Sequence, residues 1–332
     1  MAVCRGALAA CGLGGARLVK RQLGRSGLEV APLAFGGNVF GWTASEASTF
    51  ELLDAFVAAG FNLIDTANSY SHWVPGNRGG ESETLIGRWL RQRPGMRGRV
   101  LIATKVGADL GAGRAGLSRA VIMKEVEGSL ERLGTDYIDL YQSHFDDEKT
   151  PPEETLGAYA LLVKAGKLRA IGASNFSAAR LAQSLKVSRE LGLPRYESLQ
   201  PEYNLYRRDR FEGELLELCR REELGVIPYF SLASGFLTGK YRSQADLGKS
   251  PRGQRMQSFL DERGLRILAA LDQVSRELDA TPAQVSLAWL LAHAVTAPIA
   301  SATSLTQLNE LLRAPALTLP AQALAVLDAA SA

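Results

Sequence analysis

From Arg21 onward the chain alternates short apolar, β-rich runs with longer stretches whose apolar residues recur every three or four positions. The short runs fall at 30–35, 62–64, 100–104, 137–142, 170–172, 198–199, 226–229 and 297–300 and predict eight strands. The longer stretches include 45–59, 119–133, 153–165, 177–191, 212–223 and 264–278, each long enough for an amphipathic helix. Ahead of them, Arg21 to Val30 reads as two short strands around a glycine-containing turn, a hairpin expected to plug one end of the core. Strands joined by right-handed helical crossovers close into a barrel when eight are present. The predicted fold class is therefore α/β, a (β/α)8 TIM barrel with an N-terminal β-hairpin and long loops at the C-terminal face. An open doubly wound sheet is the competing architecture. Two connections, 66–80 and 240–261, exceed the usual loop length and are expected to cover a site at the barrel mouth.

Composition adds scale and excludes several roles. With 332 residues, 46% hydrophobic and 22% charged, the chain can bury one large core, so residues 20–332 are expected to form a single barrel domain. Residues 1–19, rich in Ala, Gly and Arg without an acid, are expected to be a disordered extension, because Gly12, Gly14 and Gly15 break any targeting helix. The same glycines do not form a dinucleotide fingerprint: Arg17 stands at the third glycine position and no strand precedes it. Lys and Arg total 38 against 35 acids with no basic stripe, which argues against nucleic acid. Cys4, Cys11 and Cys219 match no metal or disulfide spacing, so no metal and a reducing, cytoplasmic setting are expected. No apolar run approaches the ~20 residues that cross a bilayer.

Four polar residues fall at the carboxyl ends of successive runs. Asp65 closes the second, Tyr70 follows in its loop, Lys105 closes the third and His144 the fourth. Reducing a carbonyl needs a hydride donor at carbon and a proton donor at oxygen, held away from water. A phenol of pKa ~10 is a slow acid at neutral pH, and a nearby ammonium favours its ionised form. At about 4 Å and an effective dielectric near 20 that attraction is ~4 kcal/mol, enough to move the pKa by a few units before desolvation is subtracted. Lys105 is expected to supply the ammonium, Asp65 to keep it charged, and His144 to hydrogen-bond the carbonyl oxygen. Singly these could be a helix cap, a loop aromatic, a solvated lysine and a barrel histidine. Together on three strand ends they mark a site.

At these residues the chain closely resembles the aldo-keto reductase family. The likeness runs from about Arg21 to the C-terminus and is carried by Asp65-Thr-Ala-Asn-Ser-Tyr70, Gly80-Glu-Ser-Glu-Thr-Leu-Ile-Gly87, Thr104-Lys105, Tyr141-Gln-Ser-His144, Gly172-Ala-Ser-Asn175, Gln200-Pro-Glu-Tyr203 and Leu237-Thr-Gly-Lys-Tyr241. The resemblance implies NAD(P)H-dependent reduction of small aldehydes or ketones. Tyr70 would be the proton donor, Lys105 and Asp65 its tuning pair, and His144 the carbonyl-orienting residue.

It also implies a cofactor path. Gly37, Asn38 and Asp65 would line the nicotinamide ribose, Ser174, Asn175 and Gln200 would bind the carboxamide, and Tyr229 would stack on the ring. Phe230, Ser231, Leu232, Ala233, Ser234 and Gly235 would follow the pyrophosphate, with Lys240 and Arg252, preferred to Arg255, reaching phosphates. Gln307 and Glu310 match the adenosine-binding stretch. Ser301, Thr303 and Leu311 depart from its usual pattern, Thr303 standing where a basic residue often contacts the 2′-phosphate. NADPH is the expected cofactor and NADH the alternative.

Phe40, Trp42, Trp73 and Phe145 are expected to wall an apolar substrate pocket. Two other functions compete. A family relative serves as a channel-associated, cofactor-sensing subunit in which asparagine replaces the histidine that His144 resembles. A Schiff-base lyase would use Lys105 as a nucleophile.

Overall fold

The computed structural model describes residues 18–111 and 113–332. All but Leu18 and Val19 of the expected N-terminal extension, with Cys4, Cys11 and the rejected glycine motif, lies outside the described residues. Strands β1 (Arg21–Gln22) and β2 (Glu29–Val30) pair antiparallel as the predicted hairpin. Eight parallel strands follow: β3 (Ala34–Gly36), β4 (Leu63–Asp65), β5 (Leu101–Val106), β6 (Ile138–Ser143), β7 (Leu168–Ser174), β8 (Tyr196–Gln200), β9 (Gly225–Val226) and β10 (Ile299–Ala300). They pair in chain order, with β10 beside β3. Between β9 and β10 the Thr296 and Ile299 amides donate to the Val226 and Pro228 carbonyls at 2.7 and 3.0 Å, so the sheet curls until its ends meet, as a (β/α)8 barrel requires.

Three strands are shorter than the apolar runs predict, and proline is the reason. The run 30–35 divides into β2 and β3 across Pro32, while 226–229 and 297–300 lose ladder length at Pro228 and Pro298. A proline has no N–H to donate, but its carbonyl still accepts: Pro298 from Ala34 and Pro228 from Ile299, both at 3.0 Å.

The helices are α1 (Glu46–Ala58), α2 (Glu81–Arg91), α3 (Arg119–Leu133), α4 (Pro152–Lys164), α5 (Ala178–Leu191), α6 (Glu214–Arg221), α7 (Glu262–Glu277), α8 (Pro282–Ala292), α9 (Leu305–Leu311) and α10 (Ala321–Ser331). Their starts follow local chemistry. Ser45, Ser118, Ser177, Asp261, Thr281 and Ser304 each accept a backbone N–H from the first turn, and Gly134 and Gly192 end α3 and α5 at positive φ.

Two apolar layers result. Small and medium side chains (Ala34, Leu63, Ala103, Leu140, Ala170) meet inside the barrel, where Leu23, Leu28 and Val30 of the hairpin pack against them. The larger layer, including Phe56, Trp89, Ile122, Leu162 and Leu271, lies between strands and helices. The base is tight: a Cβ on Gly24 would sit 2.1 Å from the Glu197 carbonyl. The opposite rim, at the carboxyl ends of the strands, is left open for chemistry. No described helix is long and apolar enough to cross a membrane.

Candidate active site

Every barrel strand delivers a polar or turn residue to this rim: Gly36, Asp65, Lys105, His144, Ser174, Gln200, Tyr229 and Ser301, at or just beyond the ends of β3 to β10. Strand alternation turns Lys105 inward while its neighbour Thr104 faces the helices. Lys105 is fully buried. Its ammonium donates to both Asp65 oxygens at 2.8 and 2.7 Å, to the Thr66 carbonyl at 2.8 Å and to the Tyr70 hydroxyl at 2.8 Å. The Tyr70 hydroxyl donates to Asp65 Oδ2 at 3.0 Å. Gln200 Nε2 donates to Asp65 Oδ1 at 2.9 Å and Gln142 Nε2 to the same oxygen at 3.3 Å, completing the carboxylate's shell.

The electrostatics differ from the expectation in one respect. The Tyr70 phenol is held well above its ordinary value of 10, not below it, because burial and the Asp65 carboxylate outweigh the ammonium. Burial lowers Lys105, with Asp65 acting against it. His144 is pushed well below 6.5 by burial and by the Lys105 charge, so the ring is neutral at neutral pH. Ser69 Oγ lies 3.4 Å from His144 Nδ1; with the serine as donor, the imidazole hydrogen resides on Nε2.

Above this group opens a cavity of about 1320 Å³. Tyr70, His144, Asn38, Ser174, Asn175, Gln200, Tyr229, Phe230, Ser231, Leu232, Ser234, Gly235, Lys240, Arg252, Thr303, Gln307 and Glu310 all line it, as do Trp42, Trp73 and Phe145. Asp65 and Lys105 lie outside its lining, buried and reached through Tyr70. Gly37 and Ala233 do not border it. Phe40 corrects the expectation of a pocket wall: it is buried in the core, its ring stacked on Phe35 at 5.2 Å. A large apolar side chain on a turn adjoining α1 gains more by filling that core than by facing water.

One wall is a chain of rings, Trp42 to Trp73 (5.7 Å), Trp73 to Tyr70 (6.3 Å), Tyr70 to His144 (6.2 Å) and His144 to Phe145 (4.6 Å). The opposite wall is polar. Asn175 donates to the His144 carbonyl at 2.9 Å and accepts from the Tyr229 hydroxyl at 2.8 Å, and Ser174 Oγ donates to the Gln200 carbonyl at 2.8 Å. Of the non-glycine residues with positive φ, Asn175, Phe230, Ala233 and Ser234 cluster here, beside Gly235 at +105°. Such backbone costs about 1–3 kcal/mol per residue and concentrates at ligand sites. From the long connection, Arg252 lies over the Trp42 ring at 4.8 Å. Among the described residues neither it nor Lys240 forms an ion pair.

Sequence reasoning missed His72, Thr43 and Thr238, which also line the cavity, as do Lys249 and Arg255 of the long connection, Arg255 having been set second to Arg252. His72, two residues after Tyr70, was within reach of inspection. The others come from turns whose direction only the packed structure sets.

Comparison with known proteins gives a consistent picture. The model of the aldo/keto reductase family matches residues 32–332. An uncharacterized oxidoreductase, YrpG, of Bacillus subtilis (strain 168) is 34% identical, covering 92% of this chain and 94% of its own length. The L-glyceraldehyde 3-phosphate reductase of Escherichia coli (strain K12) is 32% identical, over 89% and 86%. A probable voltage-gated potassium channel subunit beta of Oryza sativa subsp. japonica is 33% identical, over 89% and 90%.

Proposed function

The chain belongs to the aldo/keto reductase family and is an NAD(P)H-dependent oxidoreductase, and from that premise we propose that it reduces small aldehydes or ketones with NADPH, Tyr70 giving the proton. The observation that carries this reading is the Tyr70 hydroxyl held 2.8 Å from Lys105 and 3.0 Å from Asp65 at the cavity floor.

The cavity fits a dinucleotide on its donor set. Lys240 and Arg252 bring positive charge to the cavity without a carboxylate partner among the described residues, and successive turned backbone units at 230–235 make a concavity suited to phosphate oxygens. Asn38, Ser174, Asn175, Gln200 and Tyr229 would hold the nicotinamide end, with Gly37 and Ala233 shaping the backbone beneath. Thr303, Gln307 and Glu310 would hold the adenosine end. Thr303 Oγ1 and its amide both donate to Gln307 Oε1, at 3.1 and 2.9 Å, which organises that edge. Bound NADPH supplies a hydride.

The protein's own groups do the rest. The substrate carbonyl oxygen sits between Tyr70 and His144, the neutral imidazole donating from Nε2 to orient it and stabilise its developing charge. The Tyr70 proton passes to that oxygen as the carbon accepts the hydride, leaving a phenolate that the Lys105 ammonium stabilises. A high phenol pKa suits this direction, since the acid stays protonated across neutral pH. Trp42, Trp73 and Phe145 give the carbonyl's side of the cavity apolar walls.

Likeness to the Oryza sativa protein prompts a second reading, cofactor sensing without turnover; His144 favours catalysis. The lyase reading is disfavoured because the Lys105 ammonium is buried with four acceptors around it. The test is a titration with NADPH and NADH followed by a panel of carbonyls. Carbonyl-dependent NADPH oxidation is expected, and Tyr70→Phe should lower kcat at least 100-fold, the usual weight of a general acid, with NADPH affinity unchanged. Full turnover in that variant would remove Tyr70 from the mechanism.

A further inference from the structure

Behind β5, on the side facing the helices, lies a charged cluster that the reduction does not itself use. Glu83 of α2 is fully buried; it accepts from Thr104 Oγ1 at 2.5 Å and from Arg132 of α3 at 2.7 Å. Glu125 of α3 is also buried. Two Arg114 nitrogens donate to it at 2.8 and 2.9 Å, and Asn68 Nδ2 donates to its Oε2 at 2.8 Å. Thr104 adjoins Lys105, and Asn68 stands two residues before Tyr70, its own amide bonded to the Lys105 carbonyl at 3.3 Å.

A buried ion pair is a weak source of stability, since well-packed apolar residues of similar volume commonly do as well or better. Two buried carboxylates, each paired with a partly exposed arginine behind one site, call for another reason. Each carboxylate serves two side chains at once: an arginine, and a neutral side chain on the segment bearing Lys105 or Tyr70. The arginine fixes the carboxylate, and the carboxylate fixes the segment.

We propose that Glu83 and Glu125 are positioning residues for the reduction, Glu83 holding the Lys105 end of β5 through Thr104 and Glu125 holding the Tyr70 loop through Asn68. The inference rests on the reading of Tyr70 as proton donor. Glutamine at either position removes the charge opposite the arginine and replaces an acceptor oxygen by a donor, so the neutral partner keeps its bond only by turning its own group, Thr104 as acceptor or Asn68 through Oδ1. The groups facing Glu83 are Thr104 and Arg132, with the charges of Lys105 and Arg114 nearby; those facing Glu125 are Arg114, Asn68 and Arg132; the buried Tyr141 phenol, held well above its ordinary value mainly by burial, feels both carboxylates.

The test compares Glu83→Gln, Glu125→Gln and Thr104→Val with Asp54→Asn, which removes the charge and one acceptor from the Arg93–Asp54–Trp89 contact between α1 and the α2 end, away from the site. With NADPH and an aromatic aldehyde, the first three should lose about tenfold in kcat while KM and NADPH Kd stay within twofold, and the alkaline limb of kcat should move to lower pH in Glu83→Gln. Asp54→Asn should lower the melting temperature alone. Thr104→Val keeps the Glu83–Arg132 pair, so it reports on positioning even if a charge variant fails to fold. If Thr104→Val and every variant that folds keep the parent's kcat and pH profile, the proposal is overturned. A parent without NADPH-dependent reduction would overturn the functional reading and this inference with it.

Discussion

At the scale of single residues, the site is governed by desolvation. Lys105 and Asp65 are buried as a pair, and removing one partner strands the other charge at a cost of about 3–5 kcal/mol. Lys105→Met should therefore lower chemical-denaturation stability by about that amount as well as activity, and adding Asp65→Asn should restore most of the stability but none of the activity. His144 carries a pH signature. Its folded pKa lies well below 6.5, so as pH falls through 6.5 the unfolded chain binds a proton that the folded one does not, and stability declines. His144→Asn should show a smaller drop in melting temperature between pH 6.5 and 5 than the parent. Asp65, Tyr70, Lys105 and His144 were legible as a group because each stands near the carboxyl end of a strand or in the loop that follows it. The direction of the Tyr70 shift was not legible, because burial is a property of the assembled site.

At the scale of elements, close packing decides what local propensity cannot. Gly87 lies within α2, where alanine would ordinarily favour the helix by about 1 kcal/mol. Here its Cβ would stand 2.1 Å from the Arg132 carbonyl of α3, so α2 and α3 would have to separate. Gly87→Ala should instead destabilise by about 1–3 kcal/mol, the range for overpacking, and thermal denaturation checks the sign. Six helices (α1, α3, α4, α5, α6 and α7) were readable from spacing. Helix α8 was not, since most of its residues are buried and apolar on every side, leaving no period to detect. Proline shortened three strands for a reason that apolarity does not register.

At the scale of the whole molecule, the long connection 240–261 meets the opposite rim through Arg252 over Trp42. In the proposed function Arg252 serves the cofactor as well as this bridge. Arg252→Ala should raise the Kd for NADPH about tenfold or more, the worth of a charged hydrogen bond, and raise it less for NADH if the contact is to a phosphate that NADH lacks. Fluorescence titration with both cofactors distinguishes these outcomes.

Local pattern alone determined the alternation of strand and helix, the hairpin, the helix caps and the strand ends near which Asp65, Tyr70, Lys105 and His144 stand, because these depend on near neighbours in the chain and on a period of two or 3.6. Tertiary structure decided that Phe40 faces the core, that Glu83 and Glu125 lie behind Lys105 and Tyr70, and that Tyr70 holds its proton. Those outcomes depend on which distant segments exclude water from one another, and no local pattern carries that information.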